Sequence, residues 1–349
     1  MKTILVTGGA GFVGSNFIKY MLKEHPDYMV INVDTLTYAG NLGSLKDVED
    51  NPNYRFFRAD IRDRYMIEEV FSFFAIDYVV NFAAESREER LIIEPDAFLT
   101  TNIIGTQVLL DAAKTQWKLY TDDKYSTEYK EGVRFHQVST DEVYGSISED
   151  EKFAEDTPLS PNSPYSASKA SADLIARAYH LTYGMPVTIS RCSNNYGPYQ
   201  FPEKLIPLMI NNCLNDKPLP VYGDGLNVRD WLHVEDHCKA IDLILHLGKD
   251  GDIYNIGGNN ERTNLEVVKL IVHTLEKSED LISFVKDRPG HDRRYATDST
   301  KIKTQLGWNP DYSFEQGMTE CISWYQENWE WVNSVSSGDY KRYLQAMYG

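Results

Sequence analysis

The stretch Thr3–Ser15, TILVTGGAGFVGS, decides the fold. Its first five residues are apolar and largely β-branched, the composition of a short buried strand. Gly8, Gly11 and Gly14 follow directly, spaced G-x-x-G-x-x-G rather than G-x-G-x-x-G. From Ser15 to Lys23 the spacing of Phe17, Ile18, Met21 and Leu22 predicts a helix with one apolar side. Strand, glycine turn and helix in that order make the first unit of a dinucleotide-binding fold. The glycines permit a tight turn, let the backbone approach a pyrophosphate and let helix and strand pack closely. The helix N-terminus then offers N–H groups and a partial positive charge to the phosphates.

Working outward, Met29–Val33 is the next predicted strand, and Asp34 ends it 20 residues after Gly14. A carboxylate there suits a ribose 2′-hydroxyl and repels a 2′-phosphate, and no arginine follows in DTLTYAG, so the pattern favours NAD over NADP. Phe56–Phe57 leads to Asp60, a second candidate contact, to adenine. Tyr78–Phe82, Phe135–Ser139 and Val187–Arg191 are further predicted strands, with helices at Asn102–Lys114 and Pro164–Gly184. Alternation of this kind predicts an α/β, Rossmann-type doubly wound parallel sheet over residues 1–190. Residues 191–349 are punctuated by YGPYQFP, DKPLP and YGDG and have later helices at Leu265–Leu275 and Phe314–Trp324. They predict a smaller C-terminal α/β substrate domain, with some segments returning to the first. Thr115–Gly132 is polar and aperiodic, a surface excursion.

Across 349 residues there are 52 acidic and 35 basic side chains, a formal charge of −17. That surplus argues against a nucleic-acid or anionic-membrane partner. It leaves room for a local basic pocket, and DRPGHDRRY gathers Arg288, His291, Arg293 and Arg294 within a few residues. The four cysteines show no C-x-x-C spacing, and a reducing cytoplasm fits them. No apolar run reaches the ~18–20 residues of a membrane span. His233 and His237 stand at i, i+4, but no further ligand spacing accompanies them, so no metal is implied.

The catalytic candidates lie where predicted strands end. Ser139-Thr140-Asp141-Glu142 follows the strand at Phe135, and Tyr165 and Lys169 form Y-x-x-x-K on the next helix. Residues i and i+4 share a helix face, so the lysine cation favours phenolate and makes the tyrosine a general base. Tyr120 and Lys124 match the same pattern, but they lie in the polar excursion. Thr140 is placed to bond a substrate hydroxyl. Asp141 and Glu142 offer two carboxyl groups whose surroundings can separate them into an acid and a base.

Together, TGGAGFVGSN, LTYAGN, STDEVYG, SPYSASKASAD, RCSNNYGPYQFPEKLIP, NVRDWLHVEDH, YNIGG and DRPGHDRRYA resemble the bacterial dTDP-glucose 4,6-dehydratases, over nearly the whole chain. That family belongs to the extended short-chain dehydrogenase/reductase superfamily. The glycine and Y-x-x-x-K motifs are superfamily-wide, whereas T-D-E with both acids is specific to dehydratases of this type. The resemblance implies C4 oxidation, loss of water across C5–C6 and hydride return to C6 on one bound NAD, a step in deoxysugar synthesis. Thr140, Asp141, Glu142, Tyr165 and Lys169 would be catalytic. NAD would be held by Gly8, Gly11, Phe12, Val13, Gly14, Asp34, Thr35, Leu36, Thr37, Asp60, Ile61, Phe82, Ala83, Ala84, Glu85, Thr101 and Asn195, with Tyr165 and Lys169. The sugar nucleotide would meet Ser86, Thr140, Asn194, Lys204, Leu205, Pro220, Val221, Tyr222, Arg229 and Asn264, and the run Asp287, Arg288, Pro289, Gly290 and His291. A homodimer through helices like those at Asn102 and Pro164 is implied as well.

After NFAAES the family continues His-Val-Asp-Arg-Ser, where this chain has Arg87-Glu88-Glu89-Arg90-Leu91. The arginine is kept and Glu89 is still a carboxylate. Three readings of the change stay open: tolerated variation, a retuned hexose preference, or a weakened, even silent, NAD-binding homologue. A 4-epimerase or a dehydratase of another nucleotide sugar are the neighbouring alternatives, and T-D-E disfavours the epimerase.

Overall fold

The computed structural model describes residues 2–86, 95–287 and 291–335. Seven strands form one parallel sheet: β1 (Thr3–Thr7), β2 (Met29–Asp34), β3 (Tyr54–Arg58), β4 (Tyr78–Asn81), β5 (Arg134–Thr140), β6 (Val187–Cys192) and β10 (Ile253–Ile256). Their spatial order is β3-β2-β1-β4-β5-β6-β10, the doubly wound order with a switch between β1 and β4. Alternate side chains on β1 explain why both faces are covered. Leu5 enters a core with Ile67, Val70, Leu109 and Trp117, while Ile4 and Val6 enter another with Phe17, Met21, Ile241 and Leu245.

The first helix spans Phe12–Glu24, not Ser15–Lys23. Gly11, extended at φ −79° and ψ 177°, serves as its N-cap, so Phe12, Val13 and Gly14 form the first turn. The helix predicted at Asn102–Lys114 is a longer, irregular element. A short turn at Pro95–Phe98 leads into a π-helical stretch, Leu99–Gly105, and then a regular helix, Thr106–Trp117. It therefore runs into the expected surface excursion. Trp117 is fully buried and its indole donates to Ile76 O at 2.7 Å, which anchors that end. The helix Pro164–Tyr183 has Ser163 as N-cap, Pro164 in its first turn and left-handed Gly184 as C-cap.

Beyond residue 191 the chain serves two structures. A three-stranded sheet joins β7 (Asn194–Tyr196), β9 (Val228–His233) and β11 (Glu261–Thr263), and β8 (Leu219–Tyr222) pairs with β12 (Ile282–Val285). Helices Leu205–Leu214, Asn264–Thr274 and Phe314–Glu327 pack a separate core on these strands. Helix Val234–Leu247 and β10 return to the large sheet.

Candidate active site

Parallel pairing aligns the C-terminal ends of the strands. Thr7 is level with Val33 and Asn81, and Thr140 with Cys192, so the glycine turn, Asp34, Phe82 and Thr140 emerge along one edge. This is where ligands sit in doubly wound sheets. Gly8 has φ +70°, and a Cβ there would lie 2.7 Å from Ala83 N. A Cβ on Gly14 would lie 2.3 Å from Gly8 O, which shows how tightly the helix seats on the turn. No side chain caps the helix at Gly11, so its first N–H groups face outward for an anion.

Asp34 ends β2 beside the glycine turn. Its carboxylate accepts from Ala10 N at 2.9 Å and Leu36 N at 2.7 Å, tying the glycine turn to the Thr35–Thr37 loop. Leu36 holds φ +57°, the backbone form that brings its N–H onto the carboxylate. Burial raises the Asp34 pKa against those two backbone bonds. Two acceptor sites on the carboxylate remain for a ligand. At Asp60, burial is outweighed by the Arg62 guanidinium, which grips it at 2.6–3.0 Å and holds its carboxyl below the usual range. Ile61 is buried behind it. These features fit a dinucleotide with a free ribose 2′-hydroxyl.

The candidate acid–base residues stand at the end of β5. Thr140 caps the short turn Asp141–Tyr144, its hydroxyl accepting from Glu142 N at 3.3 Å. Asp141 is 1% exposed. Burial raises its pKa well above the carboxylate range, helped by the nearby Glu142 and Asp230 charges and opposed by Arg229 and by the Thr297 hydroxyl, which donates to it at 3.3 Å. Glu142 is less buried and accepts from Ser166 Oγ at 3.4 Å. Tyr165 begins the helix beside them, with its ring edge-on to Phe98. Lys169 lies one turn on, fully enclosed, donating to Val138 O at 2.7 Å, and burial lowers its pKa against the pull of Asp173.

Asn102 is a site residue that the sequence reading missed. Its side chain accepts from Glu85 N at 2.8 Å, donates to Glu85 O at 3.1 Å, and donates to Ser168 Oγ at 2.8 Å. Ser168 in turn bonds Tyr165 O, so Asn102 fixes the Phe82–Ser86 segment to the tyrosine helix. It sits with Thr101 in the π-helical stretch, an irregularity frequent at functional sites. Thr297 is the second omission. Nothing in its sequence neighbourhood marks either residue, because their partners are remote in the chain.

Among the candidate substrate residues, Asn194 and Asn264 each bury a side-chain oxygen with no hydrogen-bond partner among the described residues, a state that leaves them open to a ligand. Lys204 is the N-cap position before Leu205, and no side chain caps that helix. Arg229 is 5% exposed, lies over the Tyr295 ring and donates to Asp292 O at 2.9 Å. Tyr222 meets the His291 ring, whose Nδ1 is 2.7 Å from Asp287. Pro220 and Val221 are buried, and Val221 packs in the second core. Asn195 is turned to His237 Nδ1 and Ser193 O, both at 2.9 Å. The basic run is also largely spoken for. Arg293 pairs with Asp224 at 2.8 Å and Arg294 with Glu261 at 2.9 Å. His233 is an N-cap, and the buried His237 has its Nδ1 on Asn195. Arg87–Leu91 and Arg288–Gly290 lie outside the described residues.

The family model described as GDP-mannose 4,6 dehydratase matches residues 5–321. A curated dTDP-glucose 4,6-dehydratase of Xanthomonas campestris pv. campestris is 50% identical over 350 residues, covering 98% of this chain and 98% of its own. The chain belongs to the 4,6-dehydratase family. It is similar in structure to dTDP-glucose 4,6-dehydratase from Bacillus anthracis in complex with NAD, at a TM-score of 0.87 and 51% identity, over 96% of this chain and 100% of that one. A UDP-glucose 4-epimerase from Thermotoga maritima, with a TM-score of 0.83, shares 30% identity over 94% of this chain and 99% of its own. The dehydratase carries the greater likeness, in line with the T-D-E pair.

Proposed function

We propose that this chain converts dTDP-glucose to dTDP-4-keto-6-deoxyglucose with NAD as a bound, regenerated cofactor. The observation that carries this reading is the acid pair. A buried Asp141, its pKa pushed up by burial, and a more accessible Glu142 stand at the end of β5, beside the Tyr165–Lys169 helix. Exchange of a C4 hydroxyl between epimers needs only the tyrosine and its cation, whereas elimination needs an acid and a base in addition.

When bound, NAD supplies the oxidation at C4 and the later reduction at C6. Asp34 and the Gly8–Gly14 turn would hold its ribose and pyrophosphate. Tyr165 takes the proton of the C4 hydroxyl while Thr140 orients that hydroxyl. The 4-ketone acidifies C5, and Glu142 removes that proton as Asp141 protonates the departing C6 hydroxyl, so water leaves. Glu142 returns its proton to C5 when C6 is reduced, and the proton on Tyr165 replaces that lost by Asp141 through exchange with water. Lys204, Arg229, Asn194 and Asn264 would engage the diphosphate and nucleoside, with charge-assisted bonds from the two cations. The test is incubation of the purified protein with dTDP-glucose and NAD, followed by mass spectrometry. Loss of one water to give the 4-keto-6-deoxy product supports the proposal; tight NAD binding with no turnover defeats it.

The enzyme would act in the cytoplasm as a homodimer. Among the described residues no helix is long and apolar enough to cross a membrane, and the four cysteines are unpaired. Leu174 and Leu181, 55% and 63% exposed, stand two turns apart on the helix Pro164–Tyr183, and Ile104 is 51% exposed on the π-helical stretch. Such apolar exposure suits a second copy. Light scattering should give twice the chain mass, and Leu174→Glu with Leu181→Glu should halve it; a monomeric wild type would contradict the dimer.

A further inference from the structure

At the opposite edge of the large sheet, two helices end side by side. His25 is the C-cap of the helix Phe12–Glu24, and His246 lies in the last turn of the helix Val234–Leu247. Both precede strand starts, at Met29 and Ile253, and the His246 ring meets Tyr78, the first residue of β4, with ring centres 5.4 Å apart. The cluster is thus at the N-terminal edge of the strands, remote from Thr140 and the glycine turn. Asp242, one turn before His246, projects between the two imidazoles. His25 Nε2 and His246 Nδ1 each lie 2.9 Å from Asp242 Oδ1. One donor atom from each of the three lies within 4.8 Å of those of the other two.

We propose that His25 Nε2, Asp242 Oδ1 and His246 Nδ1 form a divalent transition-metal site, suited to Zn²⁺. Two imidazoles and one carboxylate are a borderline donor set that fits zinc and its neighbours better than calcium or magnesium, which take oxygen ligands. Tetrahedral zinc with bonds of ~2.0–2.1 Å sets its donors roughly 3.3 Å apart. Each imidazole–carboxylate spacing needs to open by ~0.4 Å and the two imidazole nitrogens, within 4.8 Å of each other, to close by at most ~1.5 Å, as the metal replaces the protons that His25 Nε2 and His246 Nδ1 share with Asp242. His246 Nδ1 also lies 2.9 Å from the Asp242 main-chain oxygen.

The surroundings already have the form of a second shell. His246 Nε2 lies 2.9 Å from Tyr28 OH, so with Nδ1 on the metal the other ring nitrogen donates to the phenol. Tyr20 OH donates to the other Asp242 oxygen at 3.4 Å. His25 stacks on Tyr28 at 4.7 Å and on His246 at 4.9 Å, which fixes its plane. Two helix C-termini converge here, and their partial negative charge favours a cation. Arg134 already takes the Ile244 and Leu245 carbonyls at 2.7–2.8 Å, so one helix end is partly neutralised. With side chains 14–24% exposed, solvent reaches the cluster and water can complete the coordination. The site would clamp the two helices rather than take part in turnover.

The test uses the full-length chain without a polyhistidine tag, treated with chelator and titrated with Zn²⁺ by calorimetry. One ion per chain is expected, with a rise in melting temperature, since an ion that binds only the folded chain stabilises it. His25→Ala and His246→Ala should each weaken binding by at least ~10-fold, as should Tyr28→Phe through the lost second-shell bond. His273→Ala, at an exposed imidazole elsewhere, should leave it unchanged. All should keep wild-type turnover, which shows that they fold. If a histidine variant does not fold, anomalous diffraction from zinc-soaked wild-type crystals decides instead. A peak between His25 and His246 supports the site, and its absence there overturns it. Absence of zinc uptake by the wild type, or equal uptake by the His25→Ala/His246→Ala double variant, also overturns it.

Discussion

Replacing Asp141 by asparagine isolates the proton-donating step. The side chain is 1% exposed, and burial, then the Glu142 and Asp230 charges, raise its pKa and so favour the neutral acid. Asparagine matches that neutral acid in size and charge and keeps an oxygen to accept the Thr297 hydroxyl, so the fold should tolerate it. What it lacks is a transferable proton. A positioned general acid contributes ~10²–10⁴-fold, about 3–5 kcal/mol of barrier. Formation of the 4-keto-6-deoxy product should therefore fall by that factor, while Tyr165-dependent oxidation at C4 continues. Quenched-flow mass spectrometry distinguishes the 4-keto-hexose that accumulates from the eliminated product. A substrate with fluorine in place of the C6 hydroxyl adds a second reading, because fluoride departs without a proton. The Asp141→Asn deficit should shrink with it. Elimination within threefold of wild type, or an equal deficit for both leaving groups, would refute the assignment.

Other consequences follow from the same geometry. Asp34→Ala leaves the Ala10 and Leu36 amides without their acceptor, each worth about 1–3 kcal/mol if buried and unmet; NAD affinity by calorimetry should drop at least ~10-fold, and an unchanged affinity would contradict the ribose role. Asp230, 1% exposed, has its pKa raised to about 6, chiefly by burial. The folded state thus binds this proton more tightly than the unfolded chain, so its contribution is full below pH ~4 and is lost as pH rises through about 6. Asp230→Asn should remove on the order of 2–3 kcal/mol of that pH dependence in denaturant melts at pH 4 and pH 7, and parallel curves for variant and wild type would contradict it. Arg293→Ala should leave the KM for the sugar nucleotide within about twofold, because an exposed pair with Asp224 is worth little; a tenfold rise would return Arg293 to the phosphate site.

The parts of the site that could be read in the sequence are those held by local spacing. Gly8–Gly14 with Asp34, Thr140–Glu142 and Tyr165–Lys169 each lie within one turn or at a strand end, so period and order pick them out as candidates. The remainder depends on contacts between distant segments. Asn102 reaches Glu85 and Ser168, and Thr297 reaches Asp141 from 156 positions away, with no pattern to announce either. The pairing of Arg293 and Arg294 was hidden for the same reason, since Asp224 and Glu261 reach them from elsewhere in the chain. The alternation of Ile4, Leu5 and Val6 between two cores was legible as a buried strand. The π-helical turn at Leu99–Gly105 was not, because its amphipathic spacing resembles that of an ordinary helix.

The most direct test of the central claim follows one deuterium. dTDP-glucose labelled at C4 is turned over by the purified chain with NAD, and the product is read by NMR. An intramolecular 4,6-dehydratase moves the label from C4 to C6, giving a monodeuterated methyl group on a 4-ketone. Label remaining at C4 in an epimerised hexose, or substrate recovered unchanged, would contradict the account.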